Sequence, residues 1–104
     1  MSGHALFIFH RTLPGKRDEV RGIWEKHMAP AVSGNADHLA YYYGFDLADG
    51  DVLRVFQLYT DEAASKAFLS HPNYAAYLKE VEGLLAGPPE IFQATPVWQK
   101  PQTH

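Results

Sequence analysis

The run VLRVFQLY, residues 52–59, is apolar whichever way its side chains are sorted. Successive side chains on a strand point to opposite faces. One parity holds Val52, Arg54, Phe56 and Leu58; the other holds Leu53, Val55, Gln57 and Tyr59. Leu6-Phe7-Ile8-Phe9 and Tyr41-Tyr42-Tyr43 share the property. An antiparallel sheet with one wet face alternates apolar and polar residues. These strands therefore predict a sheet covered on both sides. Burying one large apolar side chain contributes roughly 1.5–3 kcal/mol, and a bare apolar face invites association.

The rest of the chain supplies helices for one face only. His4 to Thr12 reads as a first strand, stopped by Pro14-Gly15. From Lys16 to Val32, Val20, Ile23, Trp24, His27, Met28 and Ala31 fall on one helical stripe. Asp18 and Glu19 suit its positive N-terminal end, and Ser33-Gly34-Asn35 closes it. His38 to Leu47 reads as a second strand. Ala48-Asp49-Gly50-Asp51 reads as a hairpin turn using positive backbone angles, and Val52 to Tyr59 as the return strand. Asp61 is placed to cap a helix over Glu62 to Leu69. Pro72 fits the first turn of another helix, predicted to run to Leu85 and end at Gly87-Pro88-Pro89. Ile91 to Trp98 is the last predicted strand.

The order is β-α-β-β-α-β with the second helix broken near His71-Pro72, which is the ferredoxin-like α+β arrangement: a four-stranded antiparallel sheet with helices on one face. The uncovered face is expected to pack on a second copy, sheet against sheet, as a homodimer. The competing reading is a wet face on which tyrosines keep their hydroxyls in water. The 104 residues are expected to form a single domain with its core over about 5–98 and a loose tail over 99–104.

Composition removes several classes. Apolar residues make up 46% and charged residues 20%, an ordinary globular balance. A net charge of −3 gives no basic surface for nucleic acid or anionic membrane. The absence of cysteine excludes thiolate chemistry and is compatible with a reducing compartment. No membrane span or signal-type leader is read, so a cytoplasmic location is expected. The histidines at 4, 10, 27, 38, 71 and 104 lack metal-ligand spacing, and neither a phosphate loop nor a serine elbow is present.

VFQLYTDEAASKAFLSHPNYAAYLKEVEGLLAGPPEI resembles the second half of the antibiotic-biosynthesis monooxygenase (ABM) domain. ALFIFHRTLPGKRDEVRGIWEKH is similar to its first strand, PG-K turn and first helix, and HLAYYYGFDL to its second strand. The likeness spans about residues 5–98. It implies a dimeric α+β barrel, two ferredoxin-like subunits joined through their sheets. The chain departs from the family at informative places. Gln57 stands where a Glu is frequent, and Tyr59 where a Trp is frequent. The family stretch H-L-x-[ST]-P-H-F is here Phe68-Leu69-Ser70-His71-Pro72-Asn73-Tyr74, with Phe68 and Asn73 in place of both histidines.

The resemblance implies oxygen chemistry on quinol-like or polyphenolic substrates without metal, flavin or other cofactor. The substrate itself is the electron donor: deprotonating a phenol or enol lets ground-state oxygen take an electron and recombine. The protein need supply an apolar slot, donors for an oxyanion and a modest base. On that basis His71 and Asn73 are candidate catalytic residues. Trp24, Tyr43, Gln57, Phe68, Tyr74 and Tyr77 are candidate substrate-binding residues, and His10 and Arg54 are further polar groups within reach. Each has a plainer reading. His71 and Asn73 begin a helix, Tyr74, Tyr77 and Trp24 suit a core, His27 suits a satisfied core histidine, and Arg54 suits an acidic partner. A non-catalytic dimeric module binding an apolar ligand is the second reading. A heme-degrading oxygenase is the third, disfavoured because the first strand has no Asn and residues 61–85 no Trp.

Overall fold

A computed structural model describes residues 3–101. Strand β1 spans His4–Arg11, helix α1 Arg17–Ser33, β2 His38–Phe45, β3 Val52–Tyr59, α2 Glu62–Phe68, α3 Pro72–Val81 and β4 Glu90–Ala94. The four strands form one antiparallel sheet in the order β2-β3-β1-β4. The α+β ferredoxin-like fold read from the sequence is the fold observed. Residues 99–101 carry no regular structure, and residues 102–104 of the expected tail lie outside the described residues.

The helices lie on the sheet face that carries Leu53 and Tyr59. Val20 of α1 and Val81 of α3 bury Leu53 between them. Met28, Ala31 and Phe68 bury Tyr59. His27 is not a core residue. Its Nε2 lies 2.6 Å from Glu80 Oε1, which also accepts from Lys26 Nζ at 2.9 Å, so the three clasp α1 to α3.

The break between α2 and α3 is a helix restart with a capped N-terminus. Leu69 ends α2. His71 has extended backbone, φ −66° and ψ 133°, and its Nδ1 accepts from the Asn73 amide at 3.0 Å. Pro72 follows at the first position, where its missing N–H costs nothing.

Three predicted boundaries move. Helix α3 stops at Val81, with a single 3-10 turn over Glu82–Leu84, instead of reaching Leu85. The chain is drawn into extended pairing with the end of β1: Leu13 N–H donates to Leu84 O, and Ala86 N–H to Arg11 O. No positive angle occurs at Gly87, and none at Gly50, so the β2–β3 connection is not the tight turn expected. Asp46 organises it instead. Its carboxylate accepts from the Ala48 and Asp49 amides at 3.0 and 2.7 Å, while Arg17 Nη1 donates to the carbonyls of Asp46, Asp49 and Val52. Gly15, at φ 77°, is the one left-handed residue described, in the turn before α1. Strand β4 ends at Ala94, two residues short of Pro96, which cannot donate to a ladder.

The opposite face of the sheet carries an aromatic row. Register aligns Tyr42, Phe56, Phe7 and Phe92 across all four strands. Ring centroids are 6.1 Å apart for Tyr42–Phe56 and 5.2 Å for Phe7–Phe56. Arg54, ion-paired with Asp46, stacks 4.1 Å over Phe9 in the neighbouring row. No helix covers this row: Phe7 is 40% exposed, Phe92 53% and Tyr42 70%.

Candidate functional site

A cavity of about 430 Å³ opens between the helices and the sheet, towards β4. The strand parity explains its walls. Positions that pair with Leu53, Val55, Gln57 and Tyr59 all face the helices, which brings Leu6, Ile8 and His10 from β1 and Ile91 and Gln93 from β4 to one side. Trp24 and Met28 of α1 close the roof, with Tyr74 and Tyr77 of α3. Trp24, Tyr43, Gln57, Phe68, Tyr74 and Tyr77 all line this space. Trp24 stacks on Tyr43 at 4.4 Å and donates from Nε1 to the Tyr41 hydroxyl at 3.2 Å.

His71 and Asn73 do not line it. The His71 Nδ1 lone pair is used by its own helix cap, and Asn73 Nδ2 donates to His27 O at 2.9 Å, tying α3 to α1. His71 instead borders a shallower hollow of about 370 Å³ beside Pro30, Asp37 and Ala64. Phe68 separates the two hollows and lines both.

Polar groups at the larger cavity are sparse and mostly donors. The Tyr43 hydroxyl is buried without a hydrogen-bond partner among the described residues. Burial pushes the Tyr77 phenol up to about 12, and pushes Tyr41 and Tyr43 higher still. All three keep their protons at neutral pH. Gln57 Oε1 is occupied, accepting from the Tyr59 hydroxyl and lying 3.1 Å from His38 Nε2. The Gln57 amide NH₂ has no partner among the described residues. His10 stands at the mouth, where its Nε2 lies 2.9 Å from Gly87 O. A carbonyl only accepts, so Nε2 carries the proton, and in the neutral ring Nδ1 is a lone pair with no partner among the described residues.

His38 was given no role in the sequence reading, yet its ring is packed into the site's back wall. It lies 4.3 Å from Tyr59 and meets Phe68 edge-on at 4.7 Å. Desolvation holds its pKa below the ordinary histidine value, against an opposing pull from Gln57 and Asp37. A histidine favoured in its neutral form stabilises the fold fully above the unfolded pKa of about 6.5. That stability is lost as pH falls below 6.5 and through the depressed folded value. Urea midpoints of wild type are therefore expected to drop between pH 7.5 and pH 5 by more than those of His38→Phe. Equal drops would show that His38 does not carry the effect.

Among the described residues no helix is long and apolar enough to cross a membrane, and no group of three or more His, Asp or Glu is gathered as for a metal ion. The family profile described as antibiotic biosynthesis monooxygenase matches residues 4–80. A candidate antibiotic biosynthesis monooxygenase from Chloroflexus aurantiacus J-10-fl superposes with a TM-score of 0.82 at 24% identity, covering 96% of this chain and 98% of its own. Another from Caulobacter crescentus CB15 gives 0.86 at 18% identity, over 93% and 92%. A Nitrosomonas europaea protein of unknown function gives 0.81 at 22% identity, over 100% and 98%. No curated protein matches the sequence significantly. At these identities the superpositions speak for the fold, and the profile match carries the assignment: the chain belongs to the antibiotic biosynthesis monooxygenase family.

Proposed function

We propose that the protein is a cofactor-independent monooxygenase of a small phenolic or quinol-like aromatic, working as a homodimer of single-domain subunits. The supporting observation is one apolar cavity lined by His10, whose Nε2–H is held by Gly87 O, and by Gln57, whose NH₂ has no partner among the described residues. The aromatic body of the substrate packs between Trp24, Tyr74 and Tyr77. His10 Nδ1 takes a phenolic proton at the mouth of the cavity, and Gln57, four positions away along the sheet, donates from its NH₂ to an oxygen at the substrate's other end. The electron-rich anion passes one electron to oxygen, and the radical pair recombines as a hydroperoxide on a ring carbon that bears hydrogen. Loss of water leaves a carbonyl there. The balance is SH₂ + O₂ → S=O + H₂O: the substrate supplies all four electrons, and one oxygen atom leaves as water. His71 and Asn73 hold the α3 start in this scheme and touch no substrate.

Oxygen uptake over a panel of hydroquinones and polyphenols tests the reading. At least one member is expected to consume oxygen well above its uncatalysed rate. Ile91→Trp fills the mouth from a half-exposed position on β4 and is expected to cut that uptake tenfold or more. Uncatalysed rates across the panel, with binding retained, would identify a ligand-binding module instead.

A further inference from the structure

The donor character of the Gln57 amide is set outside the cavity. The Asp37 backbone N–H, which can only donate, bonds Asn35 Oδ1 at 3.2 Å. That fixes the Asn35 amide, so its Nδ2 donates to His38 Nδ1 at 2.9 Å. An accepting Nδ1 in a neutral ring leaves the proton on Nε2. His38 Nε2–H then donates to Gln57 Oε1, and the Tyr59 hydroxyl donates to the same oxygen. Both lone pairs of Oε1 are used. The NH₂ group remains, on a residue that lines the cavity, and it is not among the buried atoms that lack a partner.

We infer that Asn35 and His38 are positioning residues which hold Gln57 with its NH₂ towards the ligand, so that this point of the site takes an oxygen lone pair and rejects a group that offers only an N–H donor. The inference specifies the substrate's polarity in the proposed reaction and rests on that cavity being the ligand site. Turning the Gln57 amide over would set NH₂ against His38 Nε2–H. Relieving that clash would require moving the His38 proton to Nδ1, against the Asn35 Nδ2 donor, and turning Asn35 would abandon the Asp37 amide. The parts reverse together or not at all. The ring is also clamped by Tyr59 and Phe68, which prevents His38 from swinging out of line.

Two bicyclic probes of similar size read the polarity without oxygen chemistry: 1-indanone offers only an acceptor, and indole only an N–H donor. Wild type is expected to bind 1-indanone on the order of tenfold more tightly than indole. Asn35→Ala frees the His38 tautomer, and His38→Phe keeps the packing but removes the link; both are expected to bring the ratio to within about threefold. Nitrogen-15 NMR of the wild-type histidines is expected to show His38 as the neutral Nε2–H tautomer at pH 7. An Nδ1–H or charged ring, an unchanged ratio in both variants, or failure of wild type to bind either probe would overturn the inference. Absent oxygen uptake with the ratio and tautomer as expected would instead overturn the oxygenase reading and leave the relay standing.

Discussion

Phe7→Asp is expected to break the proposed dimer, raising its dissociation constant by about 100-fold to several thousand-fold. Phe7 sits at the centre of the aromatic row, paired with Phe56 on one side and Phe92 on the other. Where two sheets pack face to face, each Phe7 lies in the seam. Among the described residues the cation in the neighbouring row, Arg54, is stacked on Phe9 and committed to Asp46, so it is not free to pair with a carboxylate at Phe7. An unpaired buried charge costs about 3–5 kcal/mol, and each tenfold in affinity is about 1.4 kcal/mol. In the separated subunit the same residue is 40% exposed, so the carboxylate keeps much of its water and the subunit still folds. Sedimentation across a dilution series is the measurement, with Phe7→Leu as the apolar control that stays dimeric. A wild-type protein that sediments as a folded single subunit at tens of micromolar would remove the dimer from the proposal. So would a Phe7→Asp protein that associates as tightly as wild type.

The fold was legible because its signals are local and repeated. The α1 stripe needs only helical periodicity, and the β3 parities need only alternation. The restart at His71-Pro72 was visible for the same reason, since a proline at the first helical position has one comfortable setting. The site was less legible, and one residue explains much of the gap. Simple alternation along β2 puts His38 with Ala40 and Tyr42, on the face away from the helices. The register shifts between His38 and Ala40, leaving an extra residue at Leu39, and this bulge turns His38 to the side of Tyr41 and Tyr43. A bulge depends on how two strands meet, and nothing in HLAYYYGF announces it. The use of His10 was hidden for a related reason. Its partner Gly87 is 77 positions away, and it comes within reach only because α3 gives way early and the chain folds back along the end of β1. His71 and Asn73 drew attention through the family's histidines, whereas their side chains are spent on a helix cap and a helix-to-helix tie.

His10→Gln is expected to lower the turnover rate by about 100-fold to 10,000-fold, the range for removing a positioned general base. The glutamine amide can still donate to Gly87 O, so the loop after α3 keeps its anchor and the thermal midpoint should move little. The lone pair offered by Nδ1 has no replacement of comparable basicity. The walls formed by Trp24, Tyr74 and Tyr77 are untouched, so KM should change only a few-fold and the loss should fall on kcat. The deficit should also shrink as the assay pH approaches the substrate's own phenol pKa. Above that value the substrate arrives already ionised, and a base has nothing left to remove. A merely structural role for His10 would lower the rate by the same factor at every pH. Oxygen uptake measured from pH 6 to pH 10, with His71→Ala in parallel, separates the alternatives. If His10→Gln keeps its rate within threefold of wild type while His71→Ala loses it, proton removal belongs to the shallower hollow, and the cavity beneath Trp24 is not where oxygen meets substrate.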